Sequence, residues 1–501
     1  MHECGRVRTR VGYNLYKTYV RPHLEFGAPV WNTVHAVDLH PLESIQRLSL
    51  LKITGCLNST STAAMEVITG IEPLRLRIQE TCIKELVRIA AKPDDHHLKQ
   101  ALCLKKDYKS RSRAQTPAHN LWRLLTNLDY NLDILKVEPE LQYADKYKVD
   151  MPINTNLIAW EGLGNAGSRT AEEATRAKNI ASDYISSLSG VVAFTDGSAT
   201  PNPGPTGAGA AIYINGIDSC PIHLSKAISK YSTSYIGELE AIHLALSYLA
   251  NCTSLPNKVS ILTDCQSALC AITSKEHHDR CNIIRNIQDV ATKISQRSTE
   301  IYITWVAGHT GLIGNEIADR LAKEGANVAT SEEFTNSISN SALKQRLHQL
   351  ILGSWQNKWE TEPEARKCHE LIPHVAKPLT YHLPEIRSAD KSINRLLTGH
   401  TKLQEHLYKL GLSNNNSPNC ECGEDLETVE HYLTSCRLHN QQWEVMLKYI
   451  NDDQDDGEQL ISIKSLSTQI LLGEDTLLSR RSKQVIRKAL HDFLVSTNYR
   501  P

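Results

Sequence analysis

Two short apolar runs in the middle of the chain each end on an aspartate. Residues 191–194 lead into Thr195-Asp196-Gly197-Ser198, and residues 259–262 lead into Thr263-Asp264. Short apolar runs bounded by polar residues predict short strands. An acid placed directly after such a strand lies at the carboxyl edge of a sheet, where α/β sheets carry their ligand sites. Residues 207–214 and 301–306 read as further strands, and 233–249 carries apolar residues at helical spacing. Strands alternating with helices predict an α/β layer structure, so the two strand-end acids converge on one sheet edge.

Two more acids join them from helices: Glu238, within Tyr235-Ile236-Gly237-Glu238-Leu239-Glu240, and Asp319, within Gly314-Asn315-Glu316-Ile317-Ala318-Asp319. Glu238 and Glu240 point about 200° apart on a helix, so only one of them faces the site. Taken singly, each acid has an ordinary reading: Asp264 as a helix cap, Asp319 on a solvated face. Taken together, four carboxylates in one small site repel one another unless cations neutralise them. All-oxygen ligands suit Mg²⁺ or Mn²⁺, and paired ions about 3.5–4 Å apart serve in-line displacement at phosphorus. Ahead of Asp319 runs a glycine-rich loop, Gly308-His309-Thr310-Gly311-Leu312-Ile313-Gly314. It brings a titratable imidazole near the acids, so His309 is a candidate proton carrier to a leaving oxygen.

The motifs T-D-G-S, G-E-L-E-A, L-T-D and W-x-x-G-H-x-G-x-x-G-N-E-x-A-D, in this order over roughly residues 190–327, resemble the type 1 ribonuclease H domain. The resemblance implies a mixed five-stranded sheet with helices. It also implies Asp196, Glu238, Asp264 and Asp319 as ligands of two Mg²⁺ ions, with His309 as a mobile catalytic histidine. The implied reaction is hydrolysis of the RNA strand of an RNA–DNA hybrid, leaving 5′-phosphate and 3′-hydroxyl ends. Cys265 stands where serine commonly follows the third acid, at a position that is not a ligand. Residues 282–297 read as one helix without the long basic handle of some members, so hybrid binding calls for help from elsewhere. Two rival readings are a catalytically inactive nucleic-acid-binding remnant and an integrase-like strand-transfer enzyme. The complete acid set with His309 argues against the first, and the string from Gly308 to Asp319 argues against the second.

The chain has 501 residues, enough for about three domains. Residues 1–130 read as mainly helical, with an apolar stripe at Leu42, Ile45, Leu48, Leu51 and Ile53 and another from Leu74 to Ile89. Residues 131–189 read as a connection ending in a short helix near 170–187, residues 328–341 as a linker, and 342–501 as a second helical region. The string Leu15-Tyr16-Lys17-Thr18-Tyr19-Val20-Arg21-Pro22 and the segment from Ala63 to Leu74 resemble the thumb-like region after the polymerase palm in non-LTR retrotransposon reverse transcriptases. That resemblance implies the C-terminal portion of a retroelement polyprotein and association with its reverse transcriptase portion. The paired-aspartate turn of a polymerase is missing before residue 15, and Tyr143-Ala144-Asp145-Lys146 has one aspartate, so no polymerase activity is expected.

Lys+Arg number 55 against 56 Asp+Glu, yet residues 1–130 hold 19 bases against 12 acids, with the densest run at Lys105–Arg113. A near-zero net charge therefore does not exclude a nucleic-acid partner. The acidic stretch 451–458 reads as a solvated loop. No apolar stretch approaches a membrane span, and the first residues form no signal peptide, so an intracellular protein, nuclear or cytoplasmic, is expected. Most of the thirteen cysteines are scattered and read as reduced and buried. Cys420, Cys422, His431 and Cys436 form a C-x-C-x₈-H-x₄-C cluster that predicts a structural Zn²⁺ site, with His439 as a spare donor.

Overall fold

The computed structural model describes residues 9–31, 39–90, 92, 95–100, 151–156, 171–274, 283–308, 310–330, 340–375, 387–413, 416–452, 466–473 and 480–499. The basic run at 105–113, the turn at 143–146, residues 453–458 and His309 lie outside them. The chain forms two compact units, one of residues Ile83–His348 and the other of Met1–Cys82 with Gln349–Pro501.

The unit of residues 83–348 is built on a six-stranded sheet. Its strands are β1 (Asn154–Asn156), β2 (Val191–Ala199), β3 (Gly204–Tyr213), β4 (Ile222–Ser232), β5 (Lys258–Thr263) and β6 (Glu300–Trp305). They lie in the order β1-β6-β5-β2-β3-β4. The short 200–203 connection makes β2 and β3 antiparallel, and β4 continues the meander. Helix-bearing crossovers make β2, β5 and β6 parallel. These five strands match the mixed sheet implied by the sequence. The sixth, β1, pairs in parallel with the edge of β6 and lies in the stretch read as a connection.

Period-two alternation sends the side chains of the central strands into two cores. Val191 and Ala193 of β2 join Val259, Ile261, Ile301 and Ile303 on one face, while Val192 and Phe194 join Leu262 on the other. Both faces are covered, which is why the strands read as unbroken apolar runs rather than alternating ones. Helices α2 (Ser234–Ala250) and α4 (Ile283–Ser295) cover the first face with Leu239, Ile242, Leu246, Ile284, Ile287 and Ile294. The residues expected to form a single helix at 282–297 do so over α4. The second face receives α1 (Ala171–Ser186) and α5 (Ile313–Val328), through Ala181, Ile185 and Ala318. The short α3 (Gln266–Thr273) follows β5.

The named elements described in the other unit are helices, joined by turns and one isolated bridge. Its core joins Val67 and Ile68 to Trp355, Trp359, Leu397, Leu433, Trp443, Leu490 and Phe493. The helix His40–Thr54 corrects the stripe expected from its sequence. Its buried face is Gln46, Leu50, Ile53 and Thr54, while Ile45 and Leu48 are 42% and 60% exposed. The cause is a buried polar chain that apolar periodicity does not register. Tyr16 Oη donates to Gln46 Oε1 at 2.6 Å, and Gln46 Nε2 donates to Glu66 Oε1 at 2.9 Å. Satisfying the amide inside turns the flanking Ile45 and Leu48 outward. At the helix's end Gly55 adopts φ +69°, and Asn394 Nδ2 and Arg395 Nε donate to the carbonyls of Thr54 and Gly55 at 3.0 and 2.9 Å. A guanidinium there also suits the negative end of the helix dipole.

Burial pushes the Glu66 carboxyl up from 4.5 to about 7, against the opposing pull of Lys358 and of the Gln46 hydrogen bond. The folded chain thus holds this proton more tightly than the unfolded one. The associated stability is complete below about pH 4.5 and is lost as the pH rises to about 7. Glu66→Gln keeps an acceptor for Gln46 without the charge. It is predicted to be more stable than wild type by about 1–3 kcal/mol at pH 8 and nearly equal to it at about pH 4. Denaturant unfolding at the two pH values checks this, and a difference independent of pH would contradict it.

Candidate active site

The pairing of β2 with β5 sets the site. Thr195 stands opposite Thr263, so Asp196 and Asp264 are the next residues along two adjacent parallel strands. Glu238 arrives from α2, whose N-cap Thr233 accepts the amide of Ile236 through its side chain at 3.3 Å. Gly197 is what lets that helix start come down onto β2. A Cβ there would fall 2.1 Å from the Glu238 nitrogen and 2.3 Å from the Gly237 carbonyl carbon. Gly308 plays the same part on the far side, where a Cβ would fall 2.3 Å from Asp264 Oδ2.

One carboxylate oxygen from each of Asp196, Glu238 and Asp264 lies within 4.8 Å of the other two. Asp264 is oriented by Asn315 Nδ2, which donates to its Oδ2 at 3.3 Å, and by Trp305 Nε1, which donates to its backbone carbonyl at 2.9 Å. Burial, followed by the charges of Asp264 and Asp319, pushes the Asp196 carboxyl up to about 7. Burial, then Asp196 and Asp264, holds Glu238 well above the usual carboxylate range. Glu238 Oε2 is buried and has no hydrogen-bond partner among the described residues. Three converging carboxylates, one with an orphaned oxygen, form a hard all-oxygen donor set of the kind a divalent cation fits. The residues present therefore fit Mg²⁺ or Mn²⁺.

Asp319 projects from α5 into an open cleft of about 330 Å³ that it shares with Asp196, Asn315 and Glu316. It stands outside the three-carboxylate cluster and is ion-paired with Lys323 at 2.6 Å. Of the pair on α2, Glu238 faces the cluster, while Glu240 bonds Lys226 at 2.9 Å. Burial raises the Glu240 carboxyl, but hydrogen bonds from His243 and Lys226 hold it below its ordinary value. Asp264 does not cap α3, whose N-cap is Cys265. His309 lies outside the described residues. Asn315 and Trp305 were assigned no role in the sequence reading. The available signal for Asn315 was its position one turn before Asp319 on the same helix face.

The second cluster belongs to the helical unit. An antiparallel bridge between Asn419 and Leu426 closes the turn carrying Cys420 and Cys422, and Gly423 supports it at φ +77°. His431 comes from the helix Val429–Thr434, and Cys436 follows it. The four ligand atoms lie within 4.8 Å of one another, and all four residues are buried. Cys420 Sγ is 3.6 Å from Cys436 Sγ, and Cys422 Sγ is 3.2 Å from His431 Nε2. The Glu424 amide donates to Cys422 Sγ at 3.4 Å. His439 is not a spare donor: its ring packs against Tyr432 and Phe493, with centroids 4.8 and 5.9 Å away.

A sheet of this order with acids at the ends of its central parallel strands defines an α/β domain with a carboxylate-lined site. Residues 189–327 match the family model described as RNase H. A ribonuclease H of Actinobacillus pleuropneumoniae is 32% identical over 153 residues, which span 28% of this chain and 93% of that protein. The chain belongs to the ribonuclease H family through this domain. It is also 34% identical over 110 residues to the retrovirus-related Pol polyprotein from type-1 retrotransposable element R1 of Bradysia coprophila, a match spanning 22% of this chain and 10% of that protein. Among solved structures, LC11-RNase H1 in complex with RNA/DNA hybrid is 21% identical over 28% of this chain and 99% of its own, with a TM-score of 0.25.

Proposed function

We propose that the chain hydrolyses the RNA strand of RNA–DNA hybrids endonucleolytically, as the nuclease part of a retroelement polyprotein. The observation that carries this reading is the convergence of Asp196, Glu238 and Asp264, with Asp319 on the same cleft, inside a domain of the ribonuclease H family. These four acids would hold two Mg²⁺ or Mn²⁺ ions. Bound there, the cations would neutralise the carboxylates and stabilise the charge that develops on the phosphate oxygens. Asn315 and Trp305 hold Asp264 in position toward them. In the reaction a water oxygen bonds to phosphorus, releasing a proton to solvent, as the P–O3′ bond breaks. The departing O3′ takes a proton, for which His309 is the donor, and the ends left are a 5′-phosphate and a 3′-hydroxyl. The likeness to the R1 polyprotein supports the retroelement setting and a reverse transcriptase as partner.

With a labelled RNA–DNA hybrid and Mg²⁺, the wild type is expected to cut the RNA strand, and Asp196→Asn and Asp264→Asn to lose at least about a hundredfold in rate. An intact hybrid with the wild type, or cutting by both variants at the wild-type rate, would favour the inactive nucleic-acid-binding remnant.

The cysteine cluster supports a separate structural reading. Three thiols and an imidazole converge in a buried site, which suits tetrahedral Zn²⁺. Metal analysis of the reduced full chain is expected to give one zinc per molecule, lost in Cys420→Ser and Cys436→Ser. A wild-type chain free of zinc would overturn the assignment.

A further inference from the structure

The proposed substrate is a polyanion, and the cleft it must enter is acidic, lined by Asp196, Glu316 and Asp319. Several cations of this unit are already neutralised. Lys323 pairs with Asp319 at 2.6 Å, Arg320 with Glu324 at 3.0 Å and Lys226 with Glu240 at 2.9 Å. Lys178 differs from them. Among the described residues it makes no ion pair or hydrogen bond, and its ammonium lies next to a residue that lines the cleft. A Cβ built on Gly311, a residue that lines the cleft, would lie 3.3 Å from Lys178 Nζ.

Lys178 belongs to α1, which precedes the 189–327 family match. That helix is anchored independently of any substrate. Ala177 and Ala181 are fully buried, Ile185 packs with Val192, Phe194 and Leu312, and Tyr184 Oη is 3.0 Å from Thr304 Oγ1. Lys178 directly follows the buried Ala177, so it lies about 100° around the helix on an exposed face. A rigid helix thus holds a cation beside Gly311, where the Glu316 carboxylate also lies, 3.8 Å from the same built Cβ.

We propose that Lys178 is a substrate-binding residue whose ammonium contacts a backbone phosphate of the nucleic acid lying across the cleft. The added helix thereby supplies the domain with a cation from outside the family's boundaries. This inference rests on the nuclease reading of the site. A point charge of this kind contributes affinity and salt dependence but no base specificity.

Steady-state cleavage of a labelled RNA–DNA hybrid by the full chain tests it. Lys178→Ala is expected to raise KM about three- to tenfold, with the effect falling on KM rather than kcat. The dependence of log(kcat/KM) on log salt should become shallower by about one. Lys178→Glu should raise KM further, and Lys178→Arg should restore the wild-type values. If the wild type cuts and the Ala and Glu variants match it in KM and salt slope, the Lys178 assignment fails while the nuclease reading stands. If Lys178→Arg loses as much as Lys178→Ala and both melt earlier, the lysine is structural and the assignment again fails. If the wild type does not cut, the nuclease reading itself fails and the assignment falls with it.

Discussion

The pairing of β2 with β5 is the constraint on which the site depends. Once Thr195 is set opposite Thr263, Asp196 and Asp264 must stand side by side at the end of two buried strands. A register slip of one residue would send every side chain of one strand to the other face, exchanging the two cores. The apolar alternation that fixes the register therefore also fixes the acids. The core energy of the sheet holds these carboxylates together out of water, and the upward shifts of Asp196 and Glu238 express first that burial and then their mutual repulsion. A divalent cation bound among them would offset that repulsion.

Much of this was legible in the sequence because the pattern is local. A buried strand that ends on an acid reads as such without knowledge of its neighbours, and Val191–Ala199 and Lys258–Thr263 are of that kind. The choice between Glu238 and Glu240 was limited by helical geometry alone, although which of the two faces inward was settled only by packing. Gly197 and Gly308 were legible as glycines but not as the close approaches they permit, because their neighbours are Glu238 in one case and Asp264 in the other. Asp319 was legible as an acid on a helix face, and Lys323 four residues on stands at the spacing of a helical ion pair; its place outside the tight cluster was not legible.

The features that escaped the sequence reading share one cause: they depend on partners distant in the chain or on backbone alone. Strand β1 is Asn-Thr-Asn, a polar triplet with no alternation to detect, which joins the edge of β6 through its main chain. Gln46 lies on the buried face of its helix because Tyr16 and Glu66 satisfy its amide, so a count of apolar residues misjudged that face. His439 has the right element and the right spacing for a metal ligand, but aromatic packing claims it instead. Lys178 had no signal at all, since its relevance arises only from where α1 lies beside Gly311.

The sheet's register brings the carboxylates together, and a divalent cation would complete the cluster. Calorimetric titration of the full chain with Mg²⁺ tests that claim most directly, because it needs neither a substrate nor turnover. The wild type is predicted to bind Mg²⁺ saturably, with binding lost in Asp196→Asn. No binding by the wild type, or undiminished binding by the variant, would contradict the account.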